Sequence, residues 1–294
     1  MRPRAVTIDL DGAWCYRRLH GDRRAQPGPR DPVLLAGTER FLDACARLDV
    51  KATLFVIGAD LEVCGAFRDL ITAAARAGHD VMSHSYAHAY DLAHFNDDDL
   101  RTDVVRARDV IAQVTGVVPV GFRAPGYTTS EAMWRALIAG GALWSSSVLP
   151  SPPYLWARSL VRLRAARSGT PSASMPGSVR AFSPLFARPP SPLVEHPIST
   201  AAGLPWLGTT LALLPDAAAD ALTTLALATT PAAALVFELH AADFVDGGLL
   251  PTRQPDRDVP LLDKSRRIER AMARAAGHAH SQHHGGAGHS TSLG

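Results

Sequence analysis

The stretch KATLFVIGADLEVCGAFRDLITAAARAGHDVMSH (51–84) decides the fold. Its opening, KATLFVI (51–57), is a short apolar run rich in β-branched and aromatic residues, and it stops at Gly58, as a buried strand does. Residues 65–77 read as a helix ended by Gly78. DVMSH (80–84) is then another brief strand. Strand, helix and strand joined by short connections are the unit of a parallel sheet.

The same alternation continues on both sides. AVTID (5–9) is a strand ending at a turn, and an amphipathic helix follows at about 33–48. In NDDDLRTDVVRARDVIAQVTG (96–116), Asn96 caps a helix with acids in its first turn. Leu100, Val104, Ile111 and Val114 recur at helical spacing, and Gly116 ends it. VGFRAP (120–125) is a fourth strand, and Ser130 caps the helix of SEAMWRALIAGG (130–141). ALWSSSV (142–148), LVEHPI (193–198) and AALVFELH (233–240) complete the strands, and a last helix over about 261–276 follows Pro260. About seven strand–helix units predict a single α/β domain, a barrel or near-barrel, with its chemistry at the strand ends. The polar residues collect there: Asp9 and Asp11 after the first strand, His84 and His88 after the third, Arg123 after the fourth and His240 after the last.

Two regions differ from this pattern. Residues 149–192, rich in Pro, Ser and Arg, read as an insertion into a domain spanning 1–276. The Gly/His/Ser-rich tail, 277–294, reads as disordered. It holds His278, His280, His283, His284 and His289 and is expected to bind metal only adventitiously.

The bulk properties set limits. The 294 residues are 47% hydrophobic, enough for a substantial core. Thirty basic against twenty-eight acidic residues give a net charge of +2, which argues neither for nor against nucleic acid, and no nucleic-acid partner is expected. Cys15, Cys45 and Cys64 are odd in number and lack CxxC spacing, which fits reduced thiols rather than a disulfide framework. The apolar run after Met1 ends at Ile8, too short for a signal-peptide core, and the Ala-rich stretch 201–237 is interrupted by Pro205, Pro215, Asp216, Asp220 and Pro231. The expectation is a cytoplasmic protein, with contact at the inner membrane face allowed.

Taken singly, each motif has a plain reading. Asp9 and Asp11 could be turn residues before Gly12, Arg123 an ordinary strand-end arginine, and His240 a satisfied histidine near the core. His84 and His88 could lie on a polar turn. Taken together, TIDLDG (7–12), SHSYAH (83–88), FRAPGY (122–127) and ELH (238–240) resemble, in order and approximate spacing, the NodB-homology polysaccharide deacetylases, carbohydrate esterase family four. KATLFVIG (51–58) looks like that family's second strand. The resemblance covers roughly residues 5–245.

The resemblance implies a distorted (β/α) barrel and metal-assisted removal of an N-acyl group, usually N-acetyl, from an amino sugar. It implies Asp11, His84 and His88 as ligands of one divalent metal, with zinc expected and cobalt, nickel or manganese compatible. It also implies Asp9 as catalytic base, Arg123 as the group holding that base, and His240 as catalytic acid, with Pro125, Gly126 and Tyr127 beside the substrate. The chemistry is consistent with this. Two imidazoles and a carboxylate leave open positions on a zinc-like ion, and a guanidinium can hold a carboxylate ionised through paired hydrogen bonds. One departure stands out: Ser145 occupies the place where many relatives carry an aspartate that tunes the acid histidine, and Asp243 is a candidate replacement.

Residues 151–194 contain no acidic residue but six arginines: Arg158, Arg162, Arg164, Arg167, Arg180 and Arg188. YLWARSLVRLRAA (154–166) can form a basic amphipathic helix at an anionic surface, or a lid whose arginines meet solvent or phosphate. Either reading makes Arg158 and Arg162 candidate substrate contacts and favours a phosphorylated or lipid-linked amino sugar. Three alternatives stand beside deacetylation: deformylation of a lipid-linked amino sugar, a catalytically impaired saccharide-binding member of the fold, and a metal-handling role for the His-rich tail. The sequence is silent on oligomeric state.

Overall fold

Strands this short and this apolar are covered on both faces, and only a parallel sheet wrapped by helices can bury them. The computed structural model describes residues 2–154, 156, 188–250 and 254–284. Its strands are β1 (Val6–Asp9), β2 (Thr53–Val56), β3 (Asp80–Ser83), β4 (Gly121–Phe122), β5 (Trp144–Ser145), β6 (Val194–Glu195), β7 (Thr200–Ala201), β8 (Leu204–Pro205) and β9 (Phe237–His240). Seven of them form one parallel sheet in the order β6-β5-β4-β3-β2-β1-β9, while β7 and β8 pair as a small antiparallel hairpin.

The sheet curls into a half-barrel. Beyond β6, the Ser199 amide donates to Val236 O at 2.9 Å and the Val236 amide to Ser199 Oγ at 2.9 Å, so the chain from the β6 edge reaches the foot of β9. This is the predicted distorted (β/α) barrel, and its seven sheet strands are the seven read from the sequence. Register places Asp9 opposite both Phe55 and His240, and Phe122 opposite both Ser83 and Ser145. The carboxyl ends of the strands therefore lie in one layer.

Helices cover the sheet: α1 (Ala13–Leu19), α2 (Pro32–Leu48), α3 (Gly58–Val63), α4 (Gly65–Arg76), α5 (Asp97–Thr115), α6 (Glu131–Ala139), α7 (Gly208–Leu213), α8 (Asp216–Thr229) and α9 (Leu261–His284). Their ends follow local chemistry. Asp31 caps α2 by accepting from the Val33 and Leu34 amides, with Pro32 in the first turn. Asn96 caps α5, whose C-cap Gly116 is left-handed at φ 75°, and Ser130 caps α6. The main core joins Ile8, Leu54, Val56 and Leu239 of the sheet to Phe41, Phe67, Ile71 and Met272 of the helices.

Four helices, α1, α3, α7 and α8, were not anticipated. The first three are 6–7 residues long and carry no side-chain cap, so their sequence signal is weak. α8 lies in the Ala-rich stretch that shows little periodicity. The last helix also corrects an expectation: it runs to His284, eight residues into the tail read as disordered. Ala271 and Ala275 are buried against the core, and His278 Nε2 lies 3.3 Å from Thr230 O, so Gly277 alone does not end it. The rest of the tail and most of 149–192, including Arg158 and Arg162, lie outside the described residues. Among the described residues no helix is long and apolar enough to cross a membrane.

Candidate active site

Asp9 is the last residue of β1, and its side chain is buried. The Arg123 guanidinium meets it from β4, donating from Nη1 to Asp9 Oδ1 at 2.7 Å. Arg123 is itself fully buried. It also donates to Thr7 Oγ1 at 3.1 Å, to Ser146 O at 2.8 Å and to Ser146 Oγ at 2.9 Å, and its guanidinium carbon lies 4.1 Å from the Phe55 ring centre. Burial pushes Asp9 up, but Arg123, His84 and His240 outweigh it, and its carboxyl sits below the usual value.

Asp11, two residues on, lies between two imidazoles. Its Oδ1 is 3.4 Å from His84 Nε2 and 3.2 Å from His88 Nε2. Burial raises Asp11, yet His88 and His84 hold its carboxyl well below the usual range. His84 Nδ1 lies 2.9 Å from the Arg123 carbonyl, which can only accept, so that nitrogen carries a proton and Nε2 is the nitrogen that faces the aspartates.

The two histidines sit on a strained loop just after β3. Ser85 and His88 are left-handed at φ 68° and 45°. The loop is over-determined: Asp103 of α5 accepts from the Tyr86 and Ala87 amides at 2.9 Å each, and Ser85 Oγ accepts from the His88 amide at 2.9 Å. The His88 ring is gripped edge-on between Trp14 and Tyr90, at centroid distances of 5.9 and 4.9 Å.

This arrangement fits a cation. Asp11 Oδ1 and both ring nitrogens of His88 are buried without a hydrogen-bond partner. Partnerless buried polar atoms are costly, and a divalent ion accepting lone pairs from Asp11 Oδ1, His84 Nε2 and His88 Nε2 would satisfy two of these three. The donor set of one carboxylate oxygen and two imidazoles suits zinc and its neighbours.

His240 ends β9 on the far side of Asp9. The carboxylate nearest its ring is not Asp243. Asp243 Oδ2 accepts from the His240 backbone amide at 2.8 Å, and Asp243 Oδ1 from the Thr209 hydroxyl at 2.8 Å. The nearer group is Glu238, whose Oε1 lies 4.0 Å from His240 Nε2 and 3.6 Å from Arg123 Nη1. Glu238 is fully buried and neither of its oxygens has a hydrogen-bond partner. Burial pulls His240 down, but Glu238, then Asp9 and Asp243, lift it above the ordinary histidine value. Glu238 was not singled out from the sequence, although period-two alternation in FELH places it on the His240 face.

The serine run at the end of β5 has other partners. Ser145 Oγ lies 2.8 Å from Ser147 Oγ, and Glu195 of β6 accepts from the Ser147 and Val148 amides at 2.7 and 2.9 Å. These serines serve Arg123 and the β5–β6 edge rather than His240. Pro125, Gly126 and Tyr127 form a single turn just after Arg123, with Gly126 and Tyr127 left-handed at φ 62° and 56°. The Tyr127 ring meets Tyr154 edge-on at 5.5 Å.

Comparison with known proteins agrees with this picture. The polysaccharide deacetylase family matches residues 28–142, which carry His84, His88 and Arg123. A peptidoglycan-N-acetylglucosamine deacetylase of Bacillus cereus is 30% identical over 88 residues, 30% of this chain and 30% of that protein, so the chain matches less than a third of its length. A Mycobacterium smegmatis structure classed with the polysaccharide deacetylases shares the fold at a TM-score of 0.53 and 18% identity, over 95% of this chain and 92% of that one. A family 4 carbohydrate esterase from Streptomyces lividans, solved with acetate, is less similar, with a TM-score of 0.46 and 14% identity over 95% and 88% of the two chains. The polysaccharide deacetylase match is thus confined to residues 28–142, and the fold brings Asp9, Asp11 and His240 from outside that stretch to the strand ends where its His84, His88 and Arg123 lie.

Proposed function

We propose that the protein is a metal-dependent amide hydrolase that removes the N-acetyl group of an amino sugar. The observation that carries this reading is the pairing of two neighbouring carboxylates with opposite partners. Asp9 is held by a buried arginine, while Asp11 Oδ1 has no hydrogen-bond partner and lies within 3.4 Å of two imidazole nitrogens.

A divalent ion held by Asp11, His84 and His88 would polarise the amide carbonyl and lower the pKa of water towards about 7. The chain's own groups divide the remaining work. Asp9 Oδ2, on the side away from Arg123, takes the proton of the attacking water, and Arg123 keeps that carboxylate ionised and oriented. His240 holds the proton that the departing amine needs, with Glu238 beside it favouring the charged ring. Tyr127 and Tyr154 offer an aromatic wall beside the site, suited to the apolar face of a sugar ring.

The peptidoglycan deacetylase relative supports an N-acetylglucosamine-type substrate. The arginine-rich stretch 151–194 supports a phosphorylated or lipid-linked form of it, handled at the inner face of a membrane. Mass spectrometry against free, oligomeric, nucleotide-linked and lipid-linked N-acetyl and N-formyl amino sugars tests the proposal. Loss of an acetyl group from at least one member is expected. Loss of formyl alone would reassign the enzyme as a deformylase, and no acyl loss from any member would remove the hydrolase reading.

A further inference from the structure

Cys15 has no part in the chemistry above, yet it stands beside it. Gly12 separates Asp11 from α1, and the first turn of that helix, with the Cys15 amide donating to Gly12 O at 3.0 Å, folds residue 15 back towards residue 11. A ligand atom from each of Asp11, Cys15 and His88 lies within 4.8 Å of the others, and all three side chains are buried. Two of these groups, Asp11 and His88, hold buried polar atoms with no hydrogen-bond partner. Cys45 and Cys64 are also free and buried, and neither belongs to this group of ligand atoms.

A buried cysteine is commonly just a small apolar residue. Here its sulfur lies within 4.8 Å of an Asp11 oxygen and a His88 ring nitrogen, and both of those side chains hold buried atoms that lack partners. We propose that Cys15 is a further protein ligand to the divalent ion of the Asp11–His84–His88 site, which gives that site a sulfur donor. This rests on the metal reading of the site. A thiolate shifts preference towards borderline and soft ions, zinc and cobalt, and away from manganese and magnesium. Zinc can expand from four to five ligands, so four protein donors do not by themselves close the site.

The test is the absorption spectrum of the full-length protein loaded with cobalt(II). A thiolate ligand produces an intense thiolate-to-cobalt charge-transfer band in the near ultraviolet, which histidines of the tail cannot produce. The band is expected in the wild type and absent in Cys15→Ser, which should still bind cobalt but at least about tenfold more weakly. Cys15→Ala serves the same comparison if the serine variant misfolds. Cobalt bound by the wild type without the band would overturn the proposal while leaving the metal site intact. Failure of the wild type to bind cobalt or zinc at all would overturn both.

Discussion

Arg123 Nη1 and Asp9 Oδ1 form a 2.7 Å ion pair from which water is excluded, with the arginine 0% and the aspartate 2% exposed. A buried charge is stable only while paired, so this contact fixes both the ionisation and the direction of Asp9. Arg123→Ala would strand the carboxylate and should cost about 3–5 kcal/mol in urea unfolding. Arg123→Lys should recover part of the stability but little activity, because a point charge cannot reach Asp9, Thr7 and Ser146 together.

Asp9→Asn keeps the size of the side chain and a hydrogen-bond acceptor for Arg123 but loses the base. Turnover should fall about 10²–10⁴-fold while zinc content is unchanged. Near-normal turnover in this variant would remove Asp9 from that role.

Glu238→Gln probes the charge beside His240. Burial pushes the Glu238 carboxyl itself up to about 8, and once ionised it raises the His240 pKa and so holds the ring in the protonated form that the proposed acid role needs. Activity should therefore fall as pH rises through that pKa, and removing the carboxylate should move this alkaline limb to lower pH. Asp243→Asn should move it less, since Asp243 bonds the backbone and not the ring.

Gly37 of α2 lies under the loop that follows His240. A Cβ there would sit 2.4 Å from the Ala241 carbonyl oxygen. Gly37→Ala should cost about 1–3 kcal/mol by overpacking and reduce kcat by displacing His240, measurable by thermal unfolding and initial rates.

His79 gives stability a pH dependence of its own. Its Nδ1 accepts from the Ala52 amide at 3.2 Å, and burial, then Lys51 and Arg4, lower its pKa from 6.5 to about 4. The folded state resists protonation that the unfolded state accepts. This contribution is present above pH 6.5 and lost as pH falls from 6.5 towards about 4. The loss is on the order of 2 kcal/mol. His79→Asn, which keeps an acceptor but does not titrate, should flatten that part of the curve in urea unfolding across pH.

The sheet was legible because each strand is an apolar run ended by a turn residue, and β1 to β3 and β9 needed only short-range pattern. Asp9 and Asp11 were legible as motif positions, but not their division between a guanidinium and two imidazoles, which arises from β1 meeting the end of β4 and the loop after β3. Glu238 escaped because a glutamate inside FELH reads as an ordinary strand residue until the barrel places Arg123 opposite it. The HxxxH spacing was compatible with a plain polar turn. The left-handed Ser85 and His88, held by Asp103 from a distant helix, could not be read from local sequence.

The central claim is that Asp11, His84 and His88 hold one divalent ion. Zinc content after equilibrium dialysis, compared between the full-length wild type and the His84→Ala/His88→Ala double variant, tests it most directly, because the tail histidines contribute equally to both. The wild type is expected to retain one more equivalent of zinc per chain than the variant. Equal zinc in the two proteins would contradict the account.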